Sequence, residues 1–129
     1  GYRPLIFPQG TRSRPLTRGF SGIVQMALHM GVRIVPVGVS GSDDCYPGDN
    51  PFSKGGRVHY CIGKPFDPGA DSQAPRDFIP LTIKASRDHG EAFERLTDEL
   101  MARINELLPT EYQFAEEGQA STQGAERFL

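Results

Sequence analysis

Tryptophan is absent from the 129-residue sequence, and cysteine occurs only twice, at Cys45 and Cys61. The two cysteines form no Cys-x2-Cys pair, and no second pair of metal ligands accompanies them. We therefore expect reduced structural thiols rather than a disulfide framework or a zinc site. No apolar run approaches the about 20 residues that a helix needs to cross a bilayer. Length and composition predict a soluble chain that forms one domain or part of one.

Acidic residues are missing from residues 1–42, which carry five arginines and hence a charge of +5. The remainder holds nine of the 14 bases against all 16 acids, a net charge of −7. The planar guanidinium group suits the oxygens of phosphates and carboxylates. The uneven charge predicts an anion-binding amino-terminal end, and chance clustering of arginines on a solvated face stays open as the alternative.

The pattern of apolar residues predicts an α/β fold with a mostly parallel sheet flanked by helices. Residues 3–8 are typical of a short buried strand ended by Pro8, and a periodic stripe over about 19–30 predicts a helix capped by Gly31. The β-branched run 32–40 is typical of a strand buried on both faces. A right-handed crossover would then place the intervening loop at the carboxyl end of the first strand, where such sheets bind ligands.

The rest of the chain alternates strand and loop before a long helix. Residues 57–63 predict a further strand, and four prolines exclude a long helix from residues 64–82. Asp88 and Glu91 resemble a capping box at the start of the last helix, which we expect to stop at Pro109. Its apolar stripe comprises Phe93, Leu96, Leu100, Ile104, Leu107 and Leu108. We expect residues 115–129 to form a flexible tail.

Residues 7–13, with the sequence FPQGTRS, join a strand end to the chemical groups that bind phosphate. Gly10 leaves main-chain N–H groups accessible, and Thr11 and Ser13 can donate hydroxyl hydrogen bonds. Arg12 can hold two phosphate oxygens at once. A purely local turn would also use Gly, Thr and Arg, so these residue types alone leave both interpretations open.

Four blocks of the sequence resemble the lysophosphatidic acid acyltransferase (1-acylglycerol-3-phosphate acyltransferase) family. FPQGTRS at 7–13 resembles the family's FPEGTRS block, and IVPV at 34–37 is similar to its later VPV-type block. RVHYCIGKP at 57–65 resembles an RVxxxIGxP strand, and LLPTEY at 107–112 resembles the LLPxEY ending. Together they predict that residues 1–114 are the carboxy-terminal part of a glycerolipid acyltransferase domain.

The resemblance implies transfer of a fatty acyl group from acyl-CoA or acyl carrier protein to the hydroxyl of a lysophospholipid. It places Gly10, Thr11 and Arg12 on the positions that bind the acceptor's phosphate. Gln9 and Ser13 flank them, and the supporting residues are Arg14, Arg18 and Pro36. It further implies peripheral contact with the cytoplasmic side of a membrane, and neither a metal, a bound cofactor nor a nucleic acid.

Two departures from the family pattern affect this interpretation. Gln9 replaces the family's Glu, which keeps an acceptor oxygen, adds an amide donor and removes a negative charge. The catalytic His-x4-Asp pair is also missing. The three histidines, His29, His59 and His89, are followed five positions later by Ile34, Lys64 and Glu94. Because the chain starts at Gly1 without an initiator Met, we expect a truncated piece whose dyad lies upstream and which is inactive alone.

Two alternatives stay open at this point. One is a non-catalytic module that binds phosphorylated lipids or an anionic membrane through Arg12, Arg14 and Arg18. The other is an α/β fragment in which FPQGTRS is only a turn. A parallel sheet without its first strands would leave an unpaired edge, so we also expect the isolated chain to aggregate or to be partly unfolded.

Overall fold

The computed structural model describes residues 3–10, 13–45 and 55–114. Three helices and two strands make up its regular structure, with one-turn 3-10 helices at Pro68–Ala70 and Thr110–Tyr112. In chain order the elements are α1 (Gly22–Met30), β1 (Val37–Ser40), α2 (Ser42–Cys45), β2 (His59–Ile62) and α3 (Ile83–Asn105). The predicted tail 115–129 lies outside the described residues.

The described sheet contains two antiparallel strands, so the predicted mostly parallel sheet flanked by helices is wrong. Val37 pairs with Ile62 and Ser40 with His59, and an isolated antiparallel bridge joins Ile34 to Phe66. Gly41 ends β1 with a φ of 82°, and a Cβ there would lie 2.3 Å from the Arg57 carbonyl oxygen. Glycine at position 41 therefore lets the returning chain at Arg57 lie directly beside the end of β1.

Residues 3–8 form no strand, which removes the first strand of the predicted parallel crossover. Leu5 is 77% and Phe7 is 72% exposed, so the expected buried strand is wrong. Pro4 and Pro8 lack N–H donors at the two ends of this short segment, which weakens any ladder it could form. Its carboxyl end is instead held by a hydrogen bond of 2.8 Å from Phe20 N to the Pro8 carbonyl.

The predicted helix at about 19–30 is confirmed as α1, apart from its first turn. Gly31 adopts a φ of 61° as the predicted C-cap, and its N–H donates to the last turn of the helix. Val24 and Ala27 face the core, whereas Phe20, which the periodicity placed on the same face, is 68% exposed. The chain enters the helix only after Ser21, so Phe20 does not share the helical register.

The predicted long helix is confirmed as α3, but both of its ends differ from the expectation. It begins five residues before the proposed capping box, with the Thr82 hydroxyl accepting a hydrogen bond of 3.1 Å from Ala85 N. His89, between the two box residues, has non-helical backbone angles that mark a kink. The helix ends at Asn105, ahead of Pro109, because the last residues turn to carry Leu108 into the core.

The apolar stripe of α3 forms one side of the core. Of the predicted stripe residues, Phe93, Leu96, Leu100 and Ile104 are buried as expected. The rest of the core comes from the segment before α1, from α1, from the β2–α3 connection and from the end of the described chain. These contributors are Leu16, Val24, Phe66, Ala74, Leu108 and Tyr112. The core thereby holds Leu16, which follows the FPQGTRS loop, against α3.

We expect Gln25→Leu to lower the free energy of unfolding by about 1–3 kcal/mol. Gln25 is buried in α1, and its Oε1 accepts a hydrogen bond of 2.8 Å from Leu81 N. Leu81 has a φ of 61°, a conformation that costs about 1–2 kcal/mol for a residue with a side chain. Urea denaturation followed by circular dichroism measures the change, and the exposed Gln73→Leu serves as control. Equal losses of unfolding free energy in Gln25→Leu and Gln73→Leu would show that the Gln25 side chain does not support the Leu81 backbone.

Candidate anion-binding site

The turn between Pro8 and Leu16 requires glycine at position 10. Gly10 has a φ of 68°, and its N–H donates a hydrogen bond of 3.2 Å to the Phe7 carbonyl. A Cβ at this position would lie 3.2 Å from the Phe20 ring. Glycine thus serves both the backbone conformation and the packing of Phe20 against the turn.

The side chain of Gln9 closes the loop on itself. Its Nε2 donates to Ser13 Oγ at 3.2 Å and to Thr17 Oγ1 at 3.0 Å. Ser13 Oγ in turn donates to the Pro15 carbonyl at 2.8 Å. Because the Ser13 proton is used on Pro15, the oxygen facing position 9 offers a lone pair, which an amide N–H satisfies and a carboxylate does not. The structure thus gives a reason for Gln in place of Glu, and it adds Thr17, which sequence reasoning missed.

Two of the predicted phosphate-binding residues, Thr11 and Arg12, lie outside the described residues. Their neighbours Gly10 and Ser13 belong to the loop that Gln9 closes. In the sequence, Thr11 and Arg12 lie between Gln9 and Ser13, whose side chains are joined by a hydrogen bond. Their role in anion binding stays a prediction.

Arg14 is engaged by carboxylates of α2. Its Nε lies 3.1 Å from Asp43 Oδ2, and its Nη2 lies 3.8 Å from Asp44 Oδ1. Its guanidinium carbon lies 5.5 Å from the centre of the Tyr112 ring. A hydrogen bond with Tyr112, followed by the charge of Asp43, raises the pKa of Arg14 above its ordinary value. One of the five positive charges that the sequence offered for a bound anion is therefore balanced within the chain.

The other two supporting residues occupy different settings. Arg18 Nη2 lies 3.1 Å from Glu94 Oε1, and both side chains are largely exposed, so this ion pair is weak and readily opened. Pro36 is buried at the start of β1, and its carbonyl accepts a hydrogen bond of 2.9 Å from Gly63 N. Pro36 thereby joins the ends of the two strands, while Arg18 remains near the loop as a cation that an anion can recruit.

The phenol of Tyr112 connects the loop to α2. Tyr112 Oη donates a hydrogen bond of 2.6 Å to Asp43 Oδ1 and accepts one of 3.1 Å from Gly41 N. The Tyr112 carbonyl accepts a further hydrogen bond of 2.9 Å from Leu16 N. Sequence reasoning noted Tyr112 only as part of the LLPTEY block. The LLPTEY block draws attention to Tyr112 in the sequence, but the residues that Tyr112 contacts, Leu16, Gly41 and Asp43, lie far from it along the chain.

The acid–base behaviour of this cluster follows from its contacts. Burial acts to raise the pKa of Asp43, but the hydrogen bond from Tyr112, backbone N–H donors and the charge of Arg14 outweigh it, so the pKa is lowered. The hydrogen bond to Asp43, with burial second, raises the pKa of Tyr112. Asp43 is therefore a carboxylate and Tyr112 a neutral phenol at neutral pH, the protonation states that their hydrogen bond requires.

The histidines lie apart from the loop. The Phe78 ring brings two of them together, with its centre 6.4 Å from that of His29 and 6.1 Å from that of His89. His59 is exposed on β2. Within residues 3–10, 13–45 and 55–114, no three His, Cys, Asp or Glu side chains are grouped as metal ligands. The contact of both histidines with Phe78 was not predicted from the sequence.

Comparison of the chain with protein-family models, curated proteins and solved structures found no match. The likeness to the acyltransferase family therefore rests on the sequence blocks alone. Across the described ranges, no helix has both the length and the apolar character needed to cross a membrane.

Gln9→Glu is expected to speed tryptic cleavage after Arg12 about five- to 100-fold. The change removes the amide donor from two hydrogen bonds, each worth about 0.5–1.5 kcal/mol, and the loop opens more often. Cleavage is timed by mass spectrometry, with the exposed Gln73→Glu as matched control and cleavage after Arg33 as internal reference. An unchanged rate after Arg12 would show that Gln9 does not close the loop.

We expect stability to fall as the pH drops below about 4, the ordinary value for Asp. Because the folded pKa of Asp43 is lowered, its contribution is full above the unfolded pKa and is lost as pH falls through the folded pKa. Asp71, whose pKa is lowered by the Gln73 N–H and then by Arg95, acts in the same direction. Urea midpoints between pH 7 and 3 should therefore decline less in Asp43→Asn. Identical declines in variant and wild type would contradict the assignment.

Proposed function

We propose that this chain is the acceptor-phosphate-binding part of a glycerolipid acyltransferase that acylates a lysophospholipid such as 1-acylglycerol-3-phosphate. The observation that carries the proposal is the closed FPQGTRS loop, in which Gln9 bridges Ser13 and Thr17. Hydrogen bonds that hold Gln9, Ser13 and Thr17 before a ligand arrives lower the cost of ordering these three residues on binding. The positive φ of Gly10 supports a tight turn at the start of the block, which the Gly10 N–H stabilises by donating to the Phe7 carbonyl.

The ion pairs of Arg14 and Arg18 differ in how readily a bound anion could open them. Arg14 is paired with two carboxylates of α2, whereas Arg18 is paired with one exposed glutamate. A bound phosphate monoester would therefore compete more readily for Arg18 than for Arg14. From its position in the FPQGTRS block we assign the phosphate to Arg12, with Thr11, Gly10 and Arg18 as supporting contacts.

The chemical step needs a base that this sequence does not contain. In the proposed reaction a His-x4-Asp pair from elsewhere in the protein takes the proton from the acceptor hydroxyl. The hydroxyl oxygen then attacks the thioester carbonyl of acyl-CoA or acyl carrier protein, and the thiol leaves. Phosphate binding in the loop would hold that hydroxyl in place. Since the acceptor is a membrane lipid, the proposal includes peripheral contact with a membrane surface.

Arg12→Ala is expected to weaken binding of short-chain lysophosphatidic acid about 10- to 100-fold, the effect of losing a charge-assisted contact of about 1.5–3 kcal/mol. Isothermal titration below the micelle concentration measures the affinity. Arg33→Ala, which removes an exposed arginine after α1, is the matched control. In the full-length protein, Arg12→Ala should raise the acceptor KM more than it lowers kcat.

Two outcomes would oppose the proposal in different ways. Equal weakening by Arg12→Ala and Arg33→Ala would mean that total charge, rather than the loop, attracts the anion. Arg12-dependent binding to phospholipid vesicles, without acyl transfer by the full-length protein to any lysophospholipid, would make this chain a non-catalytic binding module.

A further inference from the structure

Tyr112 joins the end of the described chain to two segments that are distant in sequence, and one of them directly follows the anion-binding loop. Its phenol bonds to Gly41 and Asp43, and its carbonyl accepts from Leu16 N, which follows the loop. The residue is only 8% exposed and belongs to the core. Its position is therefore fixed by packing as well as by hydrogen bonds.

The Asp43 carboxylate transmits that position to the loop. One of its oxygens accepts the Tyr112 hydroxyl and the other pairs with Arg14 Nε, so the two contacts fix the orientation of the carboxylate plane. Arg14 directly follows Ser13, which Gln9 holds from the other side. The loop is thus held near one end by Gln9 and near the other by Arg14.

We propose that Tyr112 is a positioning residue for the anion-binding loop, acting through the Asp43 carboxylate and the Arg14 guanidinium. The inference rests on the proposed function, and it assigns to the end of the described chain a part in acceptor binding. Without the phenol oxygen, Asp43 can rotate, Arg14 loses its fixed partner and the loop samples more conformations. Tyr112 itself touches no substrate.

Tyr112→Phe tests the inference because it removes one oxygen and retains the ring and the backbone bond from Leu16. We expect the dissociation constant for short-chain lysophosphatidic acid to rise about three- to tenfold, less than the full effect of losing one hydrogen bond to a charged group, because the phenol acts on the loop indirectly. The matched control is Tyr60→Phe, which removes an exposed phenol from β2. In the full-length protein, the acceptor KM should rise while kcat changes little.

A double-mutant cycle separates positioning from general destabilisation. If Tyr112 acts through Arg14, then Arg14→Ala in the Tyr112→Phe background should weaken binding little further, because both changes break one chain of contacts. If the double variant instead raises the dissociation constant by the product of the two single-variant factors, the proposal is overturned.

Asp43→Asn provides a second variant, since its amide keeps an acceptor for Tyr112 but cannot accept from Arg14. It should weaken binding similarly, whereas tighter binding would show that Asp43 restrains an anion ligand.

The outcomes distinguish this inference from the proposed function. Binding that depends on Arg12 but is unchanged in Tyr112→Phe overturns the positioning role and leaves the proposed function standing. Failure of the wild-type chain to bind lysophosphatidic acid overturns both. Urea midpoints of all variants, measured alongside, show whether each compared sample is folded.

Discussion

Burial of the apolar side of α3 is the constraint on which the other described elements depend, because a two-stranded antiparallel sheet is at best marginally stable in water. Leu96 and Leu100 are completely buried, and each such side chain contributes about 1.5–3 kcal/mol relative to exposure. Val24 of α1 packs in the same cluster. Leu16 joins that cluster too, so the segment leaving the candidate loop is anchored by the core rather than by the sheet.

Folding brings together charges that the sequence separates. The arginines of the first third of the chain meet acids from α2 and α3, as Arg14 does with Asp43 and Arg18 with Glu94. Part of the charge asymmetry therefore serves internal ion pairs and not a ligand. These pairs differ in kind, because the Asp43 contact is reinforced by the buried Tyr112, whereas the Glu94 contact is exposed and screened by solvent.

Two of the three described helices, α1 and α3, were predicted from the sequence, and α2 and the sheet were not. The repeat of apolar residues in α1 and α3 is a local signal, and burial of Val24, Phe93 and Leu100 follows from it. Strand pairing depends on contacts between distant residues. The parallel arrangement was inferred from a first strand at residues 3–8 that does not form, and β1 instead pairs antiparallel with β2. A local pattern cannot specify that pairing.

The sequence by itself determined the positions of α1 and α3 and singled out the FPQGTRS loop as the candidate anion site. Both conclusions follow from residues close together in the chain. Only the tertiary structure decided that Gln9 closes the loop through Ser13 and Thr17, and that Tyr112 and Asp43 hold Arg14. The Tyr112 contacts join segments that meet only once α3 has buried its apolar side, so no spacing along the chain could predict them.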